Sequence, residues 1–169
     1  MLSSFAATAR SPVLSANLPA VVGQTVRMPS GAIANWLDHR LHLQHGPIDL
    51  IITADGDKAE VAAAYARAAD AFCGLLDLLV DELMILRLPA DSNILNRLKG
   101  SVAKRMAAAI NPYLPRHDKA DFITPMIAVA GSVADEILLA MGDQIDRASV
   151  NNGGDIAIYL GKNAFFDIG

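Results

Sequence analysis

The sequence predicts an α+β domain, and three observations carry that prediction. Leu41 and Leu43 alternate with Arg40, His42 and Gln44, and Ile48-Asp49-Leu50-Ile51-Ile52-Thr53 follows after Gly46-Pro47. This is the pattern of two strands joined by a turn. Between residues 58 and 141, three stretches repeat apolar residues at helical spacing. Finally, Val150 leads into a polar break, Asn151-Asn152-Gly153-Gly154-Asp155, and Ile156, Ile158 and Leu160 alternate on the far side. Alternation at period two is again a strand signal.

Composition bounds what such a domain can be. The chain has 169 residues, enough for one domain. It is 53% hydrophobic but only 5% aromatic, so the core must be built from Ala, Leu, Ile and Val. A net charge of −4 argues against a general nucleic-acid binder, which shows a basic excess. The single cysteine, Cys73, excludes an internal disulfide and sits beside Phe72 and Leu75 as a core filler. Asp77, Asp81 and Glu82 interrupt the most apolar segment, and Asp135 and Glu136 the next, so no membrane span is expected. Met1–Ala9 is too weakly hydrophobic for a secretory signal, and the protein reads as cytoplasmic.

Taken in order, residues 1–35 hold Pro12, Pro19, Pro29, Gly23 and Gly31 without periodicity. They read as a mobile leader with one short strand at Val21–Val26, ahead of a domain over residues 36–169. His39, His42 and His45 recur every third residue, but a strand turns His42 away from the other two. No metal site is expected from them. Asp55-Gly56-Asp57 closes the second strand and can cap a helix. That helix is expected to run from Lys58 to about Leu86. Its polar residues Glu60, Arg67, Asp70, Asp77 and Asp81 fall on one narrow stripe, read as a solvated face. The nearly continuous apolar surface around it suits a covered helix or an oligomer contact.

Pro89 ends this helix, and Asp91-Ser92-Asn93 can cap the next. There Ile94, Leu98, Val102, Met106 and Ile110 recur at intervals of four, while Arg97, Lys99, Lys104 and Arg105 form a basic face read as solvated. Asn111-Pro112 stops it, and a polar loop is expected at Arg116–Lys119. Thr124 as cap and Pro125 as first residue open the third helix, which ends near Met141. Ala128, Gly131, Ser132 and Asp135 share one of its faces. Small residues there admit a close neighbour, either a strand or a flat ligand.

The break at Asn151–Asp155 has two readings. Asn-Gly and Gly-Gly between alternating apolar runs signal a hairpin turn. Five polar or glycine residues exceed the needs of a two-residue turn, and bare backbone at Gly153 and Gly154 lets a ligand approach. No P-loop, dinucleotide-binding or hydrolase nucleophile motif occurs, so catalytic residues are not assigned.

Three stretches carry a resemblance: Leu41–Leu50, Thr124–Asp135 and Val150–Ile158. Together they resemble an uncharacterised bacterial and archaeal family related to the ApbE proteins, the FAD-dependent FMN transferases, over roughly residues 37–165. The resemblance implies a two-layer arrangement of strand–helix units. It implies a flavin nucleotide, FAD or FMN, held by Gly131, Asp135, Asn151, Asn152, Gly153, Gly154 and Asp155. It also implies a protein acceptor or redox partner, and Mg²⁺ in the wider family. Ala130 stands where ApbE proteins carry a lysine. The ApbE metal-binding segment would lie beyond Gly169, so a C-terminally shortened chain is expected, with no support for Mg²⁺ here. The alternative function is a non-catalytic interaction or oligomerisation module associated with a redox enzyme. A homo-oligomer is expected, with no nucleic-acid or membrane partner.

Overall fold

The computed structural model describes residues 23, 25–91, 93–114 and 122–167. Four strands come first: β1 (Thr25–Arg27), β2 (Ile33–Leu37), β3 (Arg40–His45) and β4 (Ile48–Asp55). The helices follow: α1 (Lys58–Phe72), α2 (Leu75–Asp81), α3 (Leu83–Leu86), α4 (Ile94–Arg97), α5 (Ser101–Ile110) and α6 (Val129–Met141). Strands β5 (Arg147–Asn152) and β6 (Asp155–Leu160) close the chain. The α+β class predicted from the sequence holds. Residues 1–22 of the expected leader, and with them part of the Val21–Val26 strand, lie outside the described residues. So do Ser92 of the expected cap and the Arg116–Lys119 loop. Residues 25–37 supply β1 and β2, of which β2 has no signal in the sequence pattern.

All six strands form one antiparallel sheet in the order β1-β2-β3-β4-β5-β6. Side chains alternate between its faces. The row Leu41, Ile52, Val150, Ala157 crosses four strands in register, and every member is buried. The opposite row, His42, Ile51, Asn151, Ile156, has no buried member. Helices α1 and α6 pack side by side on the buried face, α1 over β3 and β4 and α6 over β5 and β6. Helix α5 packs behind α6.

The expected Lys58–Leu86 helix is three helices. Gly74 adopts a left-handed conformation (φ 87°), which breaks the chain after Phe72. The polar stripe read from the sequence therefore does not survive as one face. Arg67 is no solvated residue: its Nε donates to the Met141 carbonyl (3.0 Å) and a second guanidinium nitrogen reaches the same oxygen. A cation at the C-terminal end of α6 satisfies an orphan carbonyl and opposes the helix dipole. Burial also raises the Asp70 carboxyl above its ordinary range.

The next expected helix is likewise divided, at Leu98–Gly100, between α4 and α5. Its predicted apolar stripe is nevertheless buried throughout, from Ile94 to Ile110. The break is held by Glu82, whose carboxylate accepts from Lys99 N (2.6 Å) and Gly100 N (2.8 Å). A Cβ on Gly100 would stand 2.7 Å from Glu82 Oε2, so a larger residue there would push the carboxylate aside and loosen both bonds. Arg105 of the expected basic face is engaged as well, donating to Glu136 (2.7 Å) and to the Ser132 carbonyl (3.2 Å).

Two expectations at the start of the helical region hold in detail. Gly46-Pro47 joins β3 to β4, and Asp57 caps α1 by accepting from Ala59 N (2.8 Å) and Glu60 N (3.3 Å). Tyr65 then ties α1 to the sheet. Its hydroxyl accepts from Ala54 N (2.9 Å) and donates to the His39 carbonyl (3.2 Å). Its ring meets Trp36 edge-on at 4.9 Å. Burial pushes the phenol above its ordinary value, the Ala54 amide opposes that, and the nearby Asp55 charge adds to it. The group is therefore a neutral structural bridge. Tyr65→Phe leaves a strand amide and a turn carbonyl without their partner and is expected to cost about 1–3 kcal/mol. Urea unfolding followed by circular dichroism measures it. An unchanged midpoint would show that the bridge contributes nothing.

Candidate functional site

The Asn151–Asp155 segment is a hairpin tip. Asn152 pairs with Asp155, and only Gly153 (φ 62°) and Gly154 (φ 111°) lie between them. Positive φ at both central residues matches the right-handed twist of the flanking strands, and glycine adopts it without strain. The five-residue break is thus a two-residue turn with polar flanks. Asn151 Oδ1 accepts from Gly154 N (2.9 Å) across the turn. Asn152 is buried, and its Nδ2 donates to the Ala130 carbonyl (3.0 Å) at the start of α6.

That bond brings the two sequence-predicted segments together. Gly131 faces Asp155, whose Oδ1 would lie 3.6 Å from a Cβ built on the glycine. Asp135 sits one turn further along α6, exposed. Gly153 and Gly154 project into open space. All seven predicted residues therefore lie around one corner, where the β5–β6 tip meets α6. What approaches Gly131 is a strand residue. The distance is an ordinary van der Waals contact, so close packing does not demand glycine there. The glycines that a close backbone approach does demand are Gly56 and Gly161. A Cβ on either would press on the Asp146 backbone, at 3.0 and 2.9 Å. No local pattern distinguishes them.

The chemistry of this corner is limited by its own bonds. The Asn151 oxygen and the Asn152 amide are spent in building the turn. What remains are the carboxylates of Asp135 and Asp155, neither of which pairs with a cation among the described residues. Two anions oppose a phosphate unless a cation accompanies it.

The histidines are separated as their alternation predicts. His42 Nε2 lies 2.8 Å from Asp49 on the open face, while His45 turns toward the Phe72 ring.

A second site was not legible in the sequence. Between α2, α3, the Gly46-Pro47 turn and the start of α6 lies a half-enclosed cavity of about 320 Å³. Leu76, Leu79 and Leu83 form one wall, and Met106, Met126 and Val129 the other. Arg87 is its only charged lining residue and forms no ion pair among the described residues. The cavity exists because the chain breaks at Gly74 and turns α2 and α3 away from the axis of α1. A reading that continues one helix to Leu86 cannot contain it.

The fold and these sites define a class: a one-sheet α+β domain, helices on one face, carrying a polar hairpin corner and an apolar cavity. Within that class, the chain belongs to the family described as AbpE bacteria, whose model matches residues 33–169. This corrects the resemblance drawn from the Thr124–Asp135 and Val150–Ile158 stretches. The family is not that of the ApbE flavin transferases, despite the similar name. Asn-Asn-Gly-Gly-Asp is also what a tight turn packed on a helix requires. No curated protein and no solved structure matches the chain. Among the described residues, no helix is long and apolar enough to cross a membrane.

Two substitutions at the corner have expected outcomes. Gly131→Ala adds a methyl in a permitted space and removes a helix glycine, so it stabilises the fold by about 0.5–1 kcal/mol. Asn152→Ala removes the bond to the Ala130 carbonyl and destabilises by about 0.5–1.5 kcal/mol. Thermal unfolding of both variants checks the pair, and a destabilised Gly131→Ala would contradict the geometry described.

Proposed function

We propose that the chain is a non-catalytic interaction module that receives an apolar anchor of a partner protein. The cavity beside α2 and α3 carries this reading. Its volume falls at the lower end of the range for ligand sites, about 300–1,000 Å³. Its lining is aliphatic and methionine-rich, which suits adaptable docking. Arg87 at the rim favours an anchor with an acidic neighbour. Val80 of the lining is itself exposed, so the apolar surface reaches the mouth. The corner at Asn151–Asp155, in contrast, has its asparagine groups occupied and offers two carboxylates.

The probe for this reading is 1-anilinonaphthalene-8-sulfonate, an aromatic anion that combines both chemistries. The folded chain is expected to bind it saturably with enhanced fluorescence. Arg87→Glu should weaken binding about tenfold, and Leu83→Trp, which fills the cavity, should abolish it. Non-saturable fluorescence, or binding indifferent to both variants, would refute the assignment.

A second reading, flavin-nucleotide binding at the hairpin corner, is supported by one observation: Gly131, Asn152 and Asp155 converge there although distant in sequence. The free carboxylates make it dependent on a divalent cation. Titration with FAD should then show fluorescence quenching that requires Mg²⁺ and weakens in Asp155→Ala. Absence of quenching with the fold intact would end this reading.

A further inference from the structure

Strand β6 forms one edge of the sheet. Its hydrogen-bonding parity is fixed at both ends. Asn152 and Asp155 bracket the two-residue turn, and Gly161 N donates to the Asp146 carbonyl (2.7 Å). Paired groups therefore fall at Asp155, Ala157 and Tyr159, and the main-chain groups of Ile156, Ile158 and Leu160 point away from β5. These three residues also carry exposed apolar side chains, 55%, 45% and 48% accessible. Among the described residues nothing pairs with these groups, so one strand offers open amides, open carbonyls and an apolar row at the same positions. Residues 156–160 contain no charge and no proline, the usual devices that protect an edge. The opposite edge, β1, is three residues long and carries Arg27, so it is protected.

Charge says what fits the exposed edge. Asp155 opens β6 and Lys162 follows its end, and neither forms an ion pair among the described residues. We propose that β6 pairs antiparallel with β6 of a second copy of this chain, about a twofold axis at Ile158. Ile158 then meets its own symmetry mate, and Ile156 meets the partner's Leu160. Asp155 lies opposite the partner's Gly161, beside the partner's Lys162, and the same contact repeats across the axis. A parallel alignment would set Asp155 against Asp155. The antiparallel contact is isologous and closes at two copies, whereas pairing of β6 with β1 is heterologous and either forms a ring or propagates. Six strands from each copy become one twelve-stranded sheet. A contact of this kind falls below about 1,200 Å², in the class of weak, reversible interfaces. The proposal does not depend on the cavity.

Cysteine cross-linking of the full chain in a Cys73→Ala background reads the register directly. Ile158→Cys is expected to form a disulfide dimer on oxidation, because hydrogen-bonded partners sit about 5.5 Å apart, within disulfide reach. Ile156→Cys alone should not, being separated from its mate by four residues, roughly 13 Å. An equimolar mixture of Ile156→Cys and Leu160→Cys should cross-link as readily as Ile158→Cys. Sedimentation velocity of the unmodified chain should show dimer growing with concentration, and Ile158→Lys should weaken it at least tenfold. That side chain is exposed, so circular dichroism and melting temperature should not change. A chain that stays monomeric at several hundred micromolar overturns the proposal. So does a dimer indifferent to Ile158→Lys, or equal cross-linking from Ile156→Cys and Ile158→Cys.

Discussion

The structure depends on covering one face of an antiparallel sheet, and α1 and α6 do the covering. Leu41, Leu50, Ile52 and Val150 face them and are fully buried. A chain this poor in aromatic residues fills the layer with small and branched side chains, so the helices lie close to the strands. Ala64, Ala68 and Ala69 of α1 and Val133, Ala134 and Ile137 of α6 are all buried. The large aromatic groups act at the borders. Trp36 and Tyr65 join α1 to the sheet near His39, and Phe72 ends α1 in the core.

Once α1 and α6 occupy the inner face, the remaining helices can only pack outside them, and long-range polar contacts fix where. Arg67 on α1 holds the C-terminal end of α6. Glu82 gathers the amides before α5, and Arg105 binds α5 to Glu136 on α6. Each joins separate segments, and those of Arg67 and Glu82 satisfy groups that a helix end or a break would leave without partners. The sharp turns these contacts require produce the cavity, which is the gap between α2–α3 and α6. Structure and proposed function meet there: the breaks that complete the helical layer also leave an apolar recess with a cation at its rim.

The one-sided architecture has a second consequence. A sheet that does not close into a barrel has two edges. Here one is short and charged, and the other carries its apolar side chains at the positions whose main-chain groups are free. An interaction module that recruits a partner on the helical side and a second copy at β6 would present two such recesses in fixed orientation. The hairpin corner stands between these surfaces. Its asparagines brace the tip of β5–β6 against α6 and so hold β6 in place.

What the sequence determined by itself is local. Period-two alternation placed β3, β4 and β6, and Gly46-Pro47 placed a turn, because the strand pleat and the residues of a turn are properties of short segments. Asp57 marked the start of α1 for the same reason, Pro125 opened only the short 3₁₀ turn ahead of α6 at Val129, and the Ile94–Ile110 stripe identified a buried face even across a break. Tertiary structure decided the rest. Gly74 and Gly100 look tolerable inside a helix until Glu82 and the packing of α2 require the chain to turn. Arg67 and Arg105 read as solvated until α6 supplies their acceptors. Gly131 and Asp155 share a corner only because β5 and β6 return beside α6. The cavity and the free edge of β6 belong to no segment at all. Both arise from how helices and strands from distant parts of the chain divide a single sheet face between them, and no local spacing records that division.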